Sequence, residues 1–205
     1  MTLDLSLLVV GKDLESLREW GEPTVELNFV QKLYPNTSGH SMAKIGNDFL
    51  RACPMGVFGM CHADCSISEE ALITFYDVAL QGKVCGIVGR DPGKGNRWCS
   101  SIEDVPGLVW SLRPGPVSTL DSSSIFFRTD LGLSFDEEVF DGFHCYVEDV
   151  CLQAQSQGIQ VVVPAANASH RGDSTFDPQW QQDYKKYRSR LQQKWSSSGM
   201  KFETT

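Results

Sequence analysis

No stretch of this sequence is long and apolar enough to cross a bilayer. The first twenty residues carry Asp4 inside a short apolar run and do not read as a signal peptide. Together these absences predict a soluble, cytoplasmic protein whose membrane contacts, if any, are peripheral. Positive charge is short as well: 18 Lys and Arg stand against 26 Asp and Glu, giving a net charge of −8 and a pI near 5.0. That excludes the broad phosphate-neutralising surface a nucleic-acid partner requires, while leaving room for local binding of a nucleotide. Cys61, His62 and Cys65 lack a second Cys or His pair at structural-zinc spacing. The seven cysteines, odd in number and set mostly in apolar patterns, are expected to be buried, reduced thiols. Gly93-Lys94-Gly95 lacks the spacing of a phosphate loop.

What remains is a chain of 205 residues, 41% hydrophobic, enough for one well-packed domain. Strand-like and helix-like segments alternate along it. Apolar or alternating runs at 5–10, 24–30, 57–61, 84–88, 117–120, 124–128 and 159–163 predict strands. Helical spacing predicts helices over 13–20, from a Ser38 cap to the Cys53-Pro54 break, from a Ser68 cap to Gly82, from Glu148 to Gly158, and over 178–195. This alternation is the pattern of an α/β fold, a mostly parallel mixed sheet flanked by helices. The segment 89–117, rich in Gly, Pro and charge, is expected to be a functional loop or lid carrying Trp98 and Trp110.

In such sheets ligands bind beyond the carboxyl ends of the strands. His62 and Asp64 follow the apolar run Val57-Phe58-Gly59-Met60-Cys61 without a break, so they stand at one such end. Glu148 and Asp149 open a helix where carboxylates favour the positive dipole end, after Phe143, His144 and Tyr146. The strand that follows leads into a loop bearing His170. With Asp121, these residues put potential ligands and proton carriers at comparable points of the sheet.

The same stretches resemble GT-A-fold, inverting glycosyltransferases of the family-2-like group, particularly its small bacterial members. The resemblance runs through NTSGHSMAKIGNDFLRACPMGVFGMCHADCSIS, VSTLDSSSIFFRTD, FDEEVFDGFHCYVEDVCLQAQSQGIQVVVP and HRGDSTF, in that order, over roughly residues 36–195. It implies a single GT-A-like, Rossmann-like domain over 1–205, with a nucleotide-binding half at about 1–90, an acceptor and catalytic half at about 117–195, and a tail at 196–205. It implies transfer of a sugar, with inversion, from a nucleotide-sugar donor to a saccharide or glycoconjugate acceptor. The metal motif falls on His62-Ala63-Asp64, so Asp64 and His170 are the implied ligands of a divalent ion, Mn²⁺ ahead of Mg²⁺ for a mixed carboxylate and imidazole shell. Asp149 is the expected general base with Glu148 second, and Asn47, His62, Asp121 and His144 are expected on substrate. The motif holds one carboxylate where the family carries two. A catalytically silent sugar- or nucleotide-binding module and a metal-dependent nucleotide hydrolase are therefore the competing readings.

Overall fold

The first apolar run, β1 (Thr2–Val10), lies inside a seven-stranded sheet, with β2 (Glu26–Leu33) and β3 (Val57–His62) parallel on either side of it. The structure, a computed structural model, describes residues 2–11, 14–20, 25–33, 40–53, 56–91, 97–100, 114–170, 178–200 and 202. The other strands are β4 (Cys65–Ile67), β5 (Val84–Cys85), β6 (Val88–Asp91), β7 (Arg97–Ser100), β8 (Gly115–Pro116), β9 (Thr119–Leu120), β10 (Ser124–Arg128), β11 (Val161–Val163) and β12 (Ala168–His170). The helices are α1 (Leu14–Glu19), α2 (Met42–Ala52), α3 (Glu69–Leu80), α4 (Tyr146–Ser156) and α5 (Pro178–Trp195). Strand order in the main sheet is β2-β1-β3-β10-β5-β11-β8. β10 runs antiparallel to both its neighbours and β8 antiparallel to β11, so the other five strands share one direction.

Successive residues of a strand face opposite sides of the sheet, and the apolar pattern here serves two cores. Leu8, Val10, Phe58, Met60, Ile125 and Phe127 pack on one side with residues of α2 and α4. Leu5, Leu7, Val9, Val57, Cys61 and Phe126 pack on the other with Ala71, Leu72 and Phe75 of α3. Gly59 sits mid-strand because the Phe126 ring crosses it: a Cβ there would lie 2.6 Å from that ring, which is itself stacked on Phe75 at 4.8 Å. The helix stops agree with their chemistry. Ser68 caps α3 by accepting from the Ala71 N–H at 3.1 Å, Glu69 and Glu70 fill its first turn, and Gly82 ends it at φ +78°.

The fold departs from the sequence expectation in three places. Ser41, not Ser38, caps α2, accepting from the Lys44 N–H at 3.2 Å; Ser38 lies outside the described residues. The expected strand at 84–88 breaks at Gly86, where a Cβ would meet the Ser124 carbonyl at 2.6 Å. The chain then leaves the main sheet, and β6 pairs with β7 and β9 in a second, antiparallel sheet. The start of the expected loop is thus a β-hairpin with Arg90 opposite Trp98, whereas Trp110 lies outside the described residues. Six cysteines (Cys53, Cys61, Cys65, Cys85, Cys145, Cys151) are free, all but Cys53 buried, and burial pushes the Cys61 thiol up to about 12. Among the described residues no helix is long and apolar enough to cross a membrane.

Candidate active site

Four separate chain segments meet where β1 and β3 end. His62, the last residue of β3, pairs with Val10, the last of β1. Because β10 is antiparallel, its first residue Ser124 lies opposite Cys61, so the loop before it arrives at the same edge. The His62 N–H donates to the Ser123 carbonyl and the Ala63 N–H to the Val10 carbonyl, both at 2.9 Å. Within that loop Asp121 makes an Asx turn, its Oδ1 accepting from the Ser123 N–H at 2.8 Å, and the carboxylate is half-buried at the edge.

Tyr146, at the start of α4, ties these pieces together. Its hydroxyl donates to the Ser122 carbonyl at 3.1 Å and lies 3.2 Å from His62 Nε2. The phenol has one proton and spends it on the carbonyl, so His62 must present Nε2–H to the phenol oxygen. A neutral His62 then carries its lone pair on Nδ1. Burial pushes the Tyr146 phenol well above its ordinary value, and the charges of Glu148 and Asp121 push it further, so the donor stays protonated. In the sequence Tyr146 stands out only as a neighbour of the acidic pair; its partners lie 24 and 84 residues away, and no local pattern reports them.

The turn at Ala63 and Asp64 leads into β4, which pairs antiparallel with β12. In that register His170 stands opposite Cys65, the residue next to Asp64. A half-buried carboxylate and a histidine position from distant parts of the chain are thereby neighbours. Among the described residues no group of three or more His, Cys, Asp or Glu gathers as a metal cage. In general a carboxylate with an imidazole suits a borderline divalent ion such as Mn²⁺ better than a hard one such as Mg²⁺. Cys65 adds no ligand: burial, then the neighbouring Cys61, Asp64 and Asp121, push its thiol well up, and its Sγ lies 3.6 Å from the Ser123 carbonyl.

Three sequence expectations meet a different geometry. Asp149 does not open onto the ligand edge. It is 0% exposed; Oδ1 accepts from Trp195 Nε1 at 2.8 Å, and Oδ2 from Gln153 Nε2 at 2.8 Å and Lys194 Nζ at 2.9 Å. A helix start favours a carboxylate without choosing its direction around the axis, and here it turns to the end of α5. Asn47 is a clamp: its amide donates to the Phe135 carbonyl and to Glu137 Oε1, both at 2.7 Å, and accepts from the Phe135 N–H at 2.9 Å. That use leaves the expected substrate contact without a free face. His144 is buried edge-on against Trp180 and Tyr184, with ring centroids at 5.0 and 5.7 Å, rather than lying open to substrate. Burial lowers its pKa, outweighing Asp183 and Asp121, so the ring is neutral near pH 7. Glu148 is buried in the first turn of α4, where burial first and then the nearby Glu148 raise the Tyr146, Cys145 and Cys151 pKa values. His62, Asp64 and Asp121 do come together at one edge, with the His170 backbone position beside them.

Residues 113–195 match the model of a family described as "Glycosyltransferase like family", which covers Asp121, Tyr146 and His170 but less than half of the chain. No curated protein matches it. In fold the chain is similar to GalNAc-T7 solved with UDP, GalNAc and Mn²⁺, at a TM-score of 0.52 and 8% identity over 81% of this chain and 43% of that one. It is also similar to S. aureus TarS 1-349 in complex with UDP-GlcNAc, at a TM-score of 0.52 and 14% identity over 96% of this chain and 68% of that one. The fold is that of the GT-A glycosyltransferases. The chain spans well under half the length of the GalNAc-T7 chain, 43%, and about two thirds of the TarS fragment, 68%.

Proposed function

We propose that this chain is a nucleotide-sugar-dependent glycosyltransferase that moves a sugar to an acceptor hydroxyl with inversion at the anomeric carbon. The observation that carries the reading is the convergence of His62, Asp64, Asp121 and Tyr146 at the carboxyl edge of a GT-A sheet, with His170 paired beside Asp64. The glycosyltransferase-like family match over residues 113–195 supports it from the sequence side.

The chemistry assigns each residue one task. Asp64, with His170, would hold a divalent ion, Mn²⁺ ahead of Mg²⁺, which when bound neutralises charge on a departing diphosphate. His62, whose Nε2 lies 3.2 Å from the Tyr146 hydroxyl, would help orient the donor or the group holding it from the same edge. An inverting displacement needs a carboxylate to take the acceptor proton as its oxygen attacks. With Asp149 committed to Lys194, Gln153 and Trp195, that task moves to Asp121, the half-buried carboxylate at the edge. Glu148 stands behind Tyr146 and helps keep the phenol protonated. Any membrane contact would be peripheral.

Calorimetry against UDP-GlcNAc, UDP-GalNAc and other sugar nucleotides, with and without Mn²⁺, followed by analysis of products, tests the reading. Metal-dependent binding of one donor with slow release of UDP and transfer to an added saccharide is expected. Donor binding with neither hydrolysis nor transfer would favour the silent module, which the single carboxylate of His62-Ala63-Asp64 makes the second reading. Rapid phosphate release without sugar preference would favour a hydrolase.

A further inference from the structure

Ser123 stands at the centre of the edge with its backbone fully used. Its carbonyl accepts from the His62 N–H at 2.9 Å and lies 3.6 Å from Cys65 Sγ, so it touches both ends of the turn His62-Ala63-Asp64-Cys65. Its N–H donates to Asp121 Oδ1 at 2.8 Å. The residue therefore lies between the Asp121 carboxylate and the turn that carries Asp64. The Cys65 thiol beside it feels, after burial and Cys61, the charges of Asp64 and then Asp121. The side chain has no such employment. Ser123 is 2% exposed, and its Oγ is buried with no hydrogen bond among the described residues. The other buried serines are satisfied: Ser124 accepts from the Ile87 N–H at 2.9 Å, Ser118 donates to the Arg90 carbonyl at 3.0 Å, and Ser6 bonds the Cys53 thiol. A buried hydroxyl without a partner costs stability that an alanine would not.

We propose that the Ser123 hydroxyl is a further protein ligand of the divalent ion assigned to Asp64 and His170, supplying from the β10 side an oxygen in place of the carboxylate that the His62-Ala63-Asp64 motif lacks; the inference rests on the transferase reading and adds a residue to the same site. The donor chemistry fits. A serine hydroxyl is a hard oxygen ligand, the type that holds Mg²⁺ in phosphate-loop proteins. With a carboxylate and an imidazole it makes a mixed oxygen and nitrogen set, which suits Mn²⁺. Coordination uses a lone pair of the oxygen and leaves the hydroxyl proton for an acceptor in the same shell, so one ion satisfies a group the fold leaves orphaned. Electrostatics favours a neutral ligand at this position. A third carboxylate between Asp64 and Asp121 would be repelled by both whenever the ion is absent, whereas a hydroxyl is not.

Calorimetry of Mn²⁺ binding to the full chain with saturating UDP, and melting curves with and without Mn²⁺, test this. The native protein is expected to bind Mn²⁺ and to melt higher in its presence. Ser123→Ala should weaken Mn²⁺ by about tenfold or more and shrink that metal-dependent rise. Without metal it should melt no lower than the native protein, since it removes an unsatisfied hydroxyl. Ser123→Cys nearly keeps the shape and exchanges a hard oxygen for a soft sulfur. It should weaken Mn²⁺ yet bind Cd²⁺ more tightly than Ser123→Ala does, a preference that no packing role produces. Native Mn²⁺ affinity in Ser123→Ala overturns the ligand and leaves the transferase reading standing. A metal-free melt several degrees lower does the same, because the hydroxyl would then be partnered within the fold, an internal water included. No Mn²⁺ binding by the native protein also overturns the inference, and transfer assays then judge the wider reading separately: product formed in EDTA keeps the transferase, and no product with any divalent metal sinks it.

Discussion

Replacing Asp149 by Asn should unfold this protein more easily before it impairs any chemistry. The carboxylate is 0% exposed and accepts three hydrogen bonds, from Trp195, Gln153 and Lys194. An amide of the same shape has one oxygen and one NH₂. In either orientation a donor must face Trp195 Nε1–H, or face the Lys194 ammonium and the Gln153 amide. Breaking a buried charge pair from one side typically costs 3–5 kcal/mol. Lys194 keeps Asp136 at 2.7 Å and is 27% exposed, so water and a second carboxylate soften the loss to about 2–3 kcal/mol. For a chain of this length each kcal/mol moves the melting temperature by ~2–4 °C, so the variant should melt roughly 4–12 °C lower. Differential scanning calorimetry reads the shift, and transfer rates with saturating donor and acceptor at 20 °C, where the variant stays folded, read the chemistry. Activity per folded molecule should stay within about tenfold, since loss of a general base costs 10²–10⁴. An unchanged melt with a loss of at least ~10² in kcat would refute the structural assignment and return Asp149 to the mechanism.

Asp121→Asn keeps the oxygen that accepts from the Ser123 N–H, so its melt should hold while kcat falls by ~10² or more in the same assay. Equal activity would remove Asp121 as the proton acceptor. Asp64→Ala should abolish Mn²⁺-dependent donor binding in calorimetry and leave the melt nearly unchanged, the residue being half-buried at a turn; undiminished metal-dependent binding would defeat the metal role. Lys194→Met should blunt the pH dependence of stability at both ends. Burial by itself would raise the Asp136 pKa, but Lys194 and the Val139 and Glu138 N–H groups outweigh it and hold it low. That stabilisation is present above the ordinary value near 3.9 and is lost as pH falls through the depressed one. Burial would lower Lys194, but Asp136 and Asp149 outweigh it and hold its pKa high. Its share is present below the ordinary value near 10.4 and lost as pH rises through the elevated one. Melting curves of the variant that kept the native steepness below pH 4 would show that Lys194 is not the partner that matters.

Much of the architecture lies in local periodicity. β3 announces itself as an apolar run and delivers His62 and Asp64 to its end, and Ser68 with Gly82 brackets α3, because capping and alternation are settled by residues a few positions apart. The two-sided burial of β1 and β3 follows from the same pattern and carries the α/β class with it. Partner choice across the chain is another matter. Nothing near residues 124–128 says that β10 enters between β3 and β5 in the opposite direction, yet that reversal brings Asp121 and Ser122 to the edge where His62 waits. Asn47 and Asp149 have the residue types of a site, and only packing shows one clamping the Phe135 loop and the other holding the end of α5. Tyr146, silent in the sequence, becomes the link between His62 and Ser122 once α4 docks. Local residue preferences set which segments take strand, helix or turn and which reactive groups the chain carries. Which carboxylates face solvent and which are consumed as buried partners follows from packing, because desolvation and hydrogen-bond satisfaction depend on neighbours far along the chain.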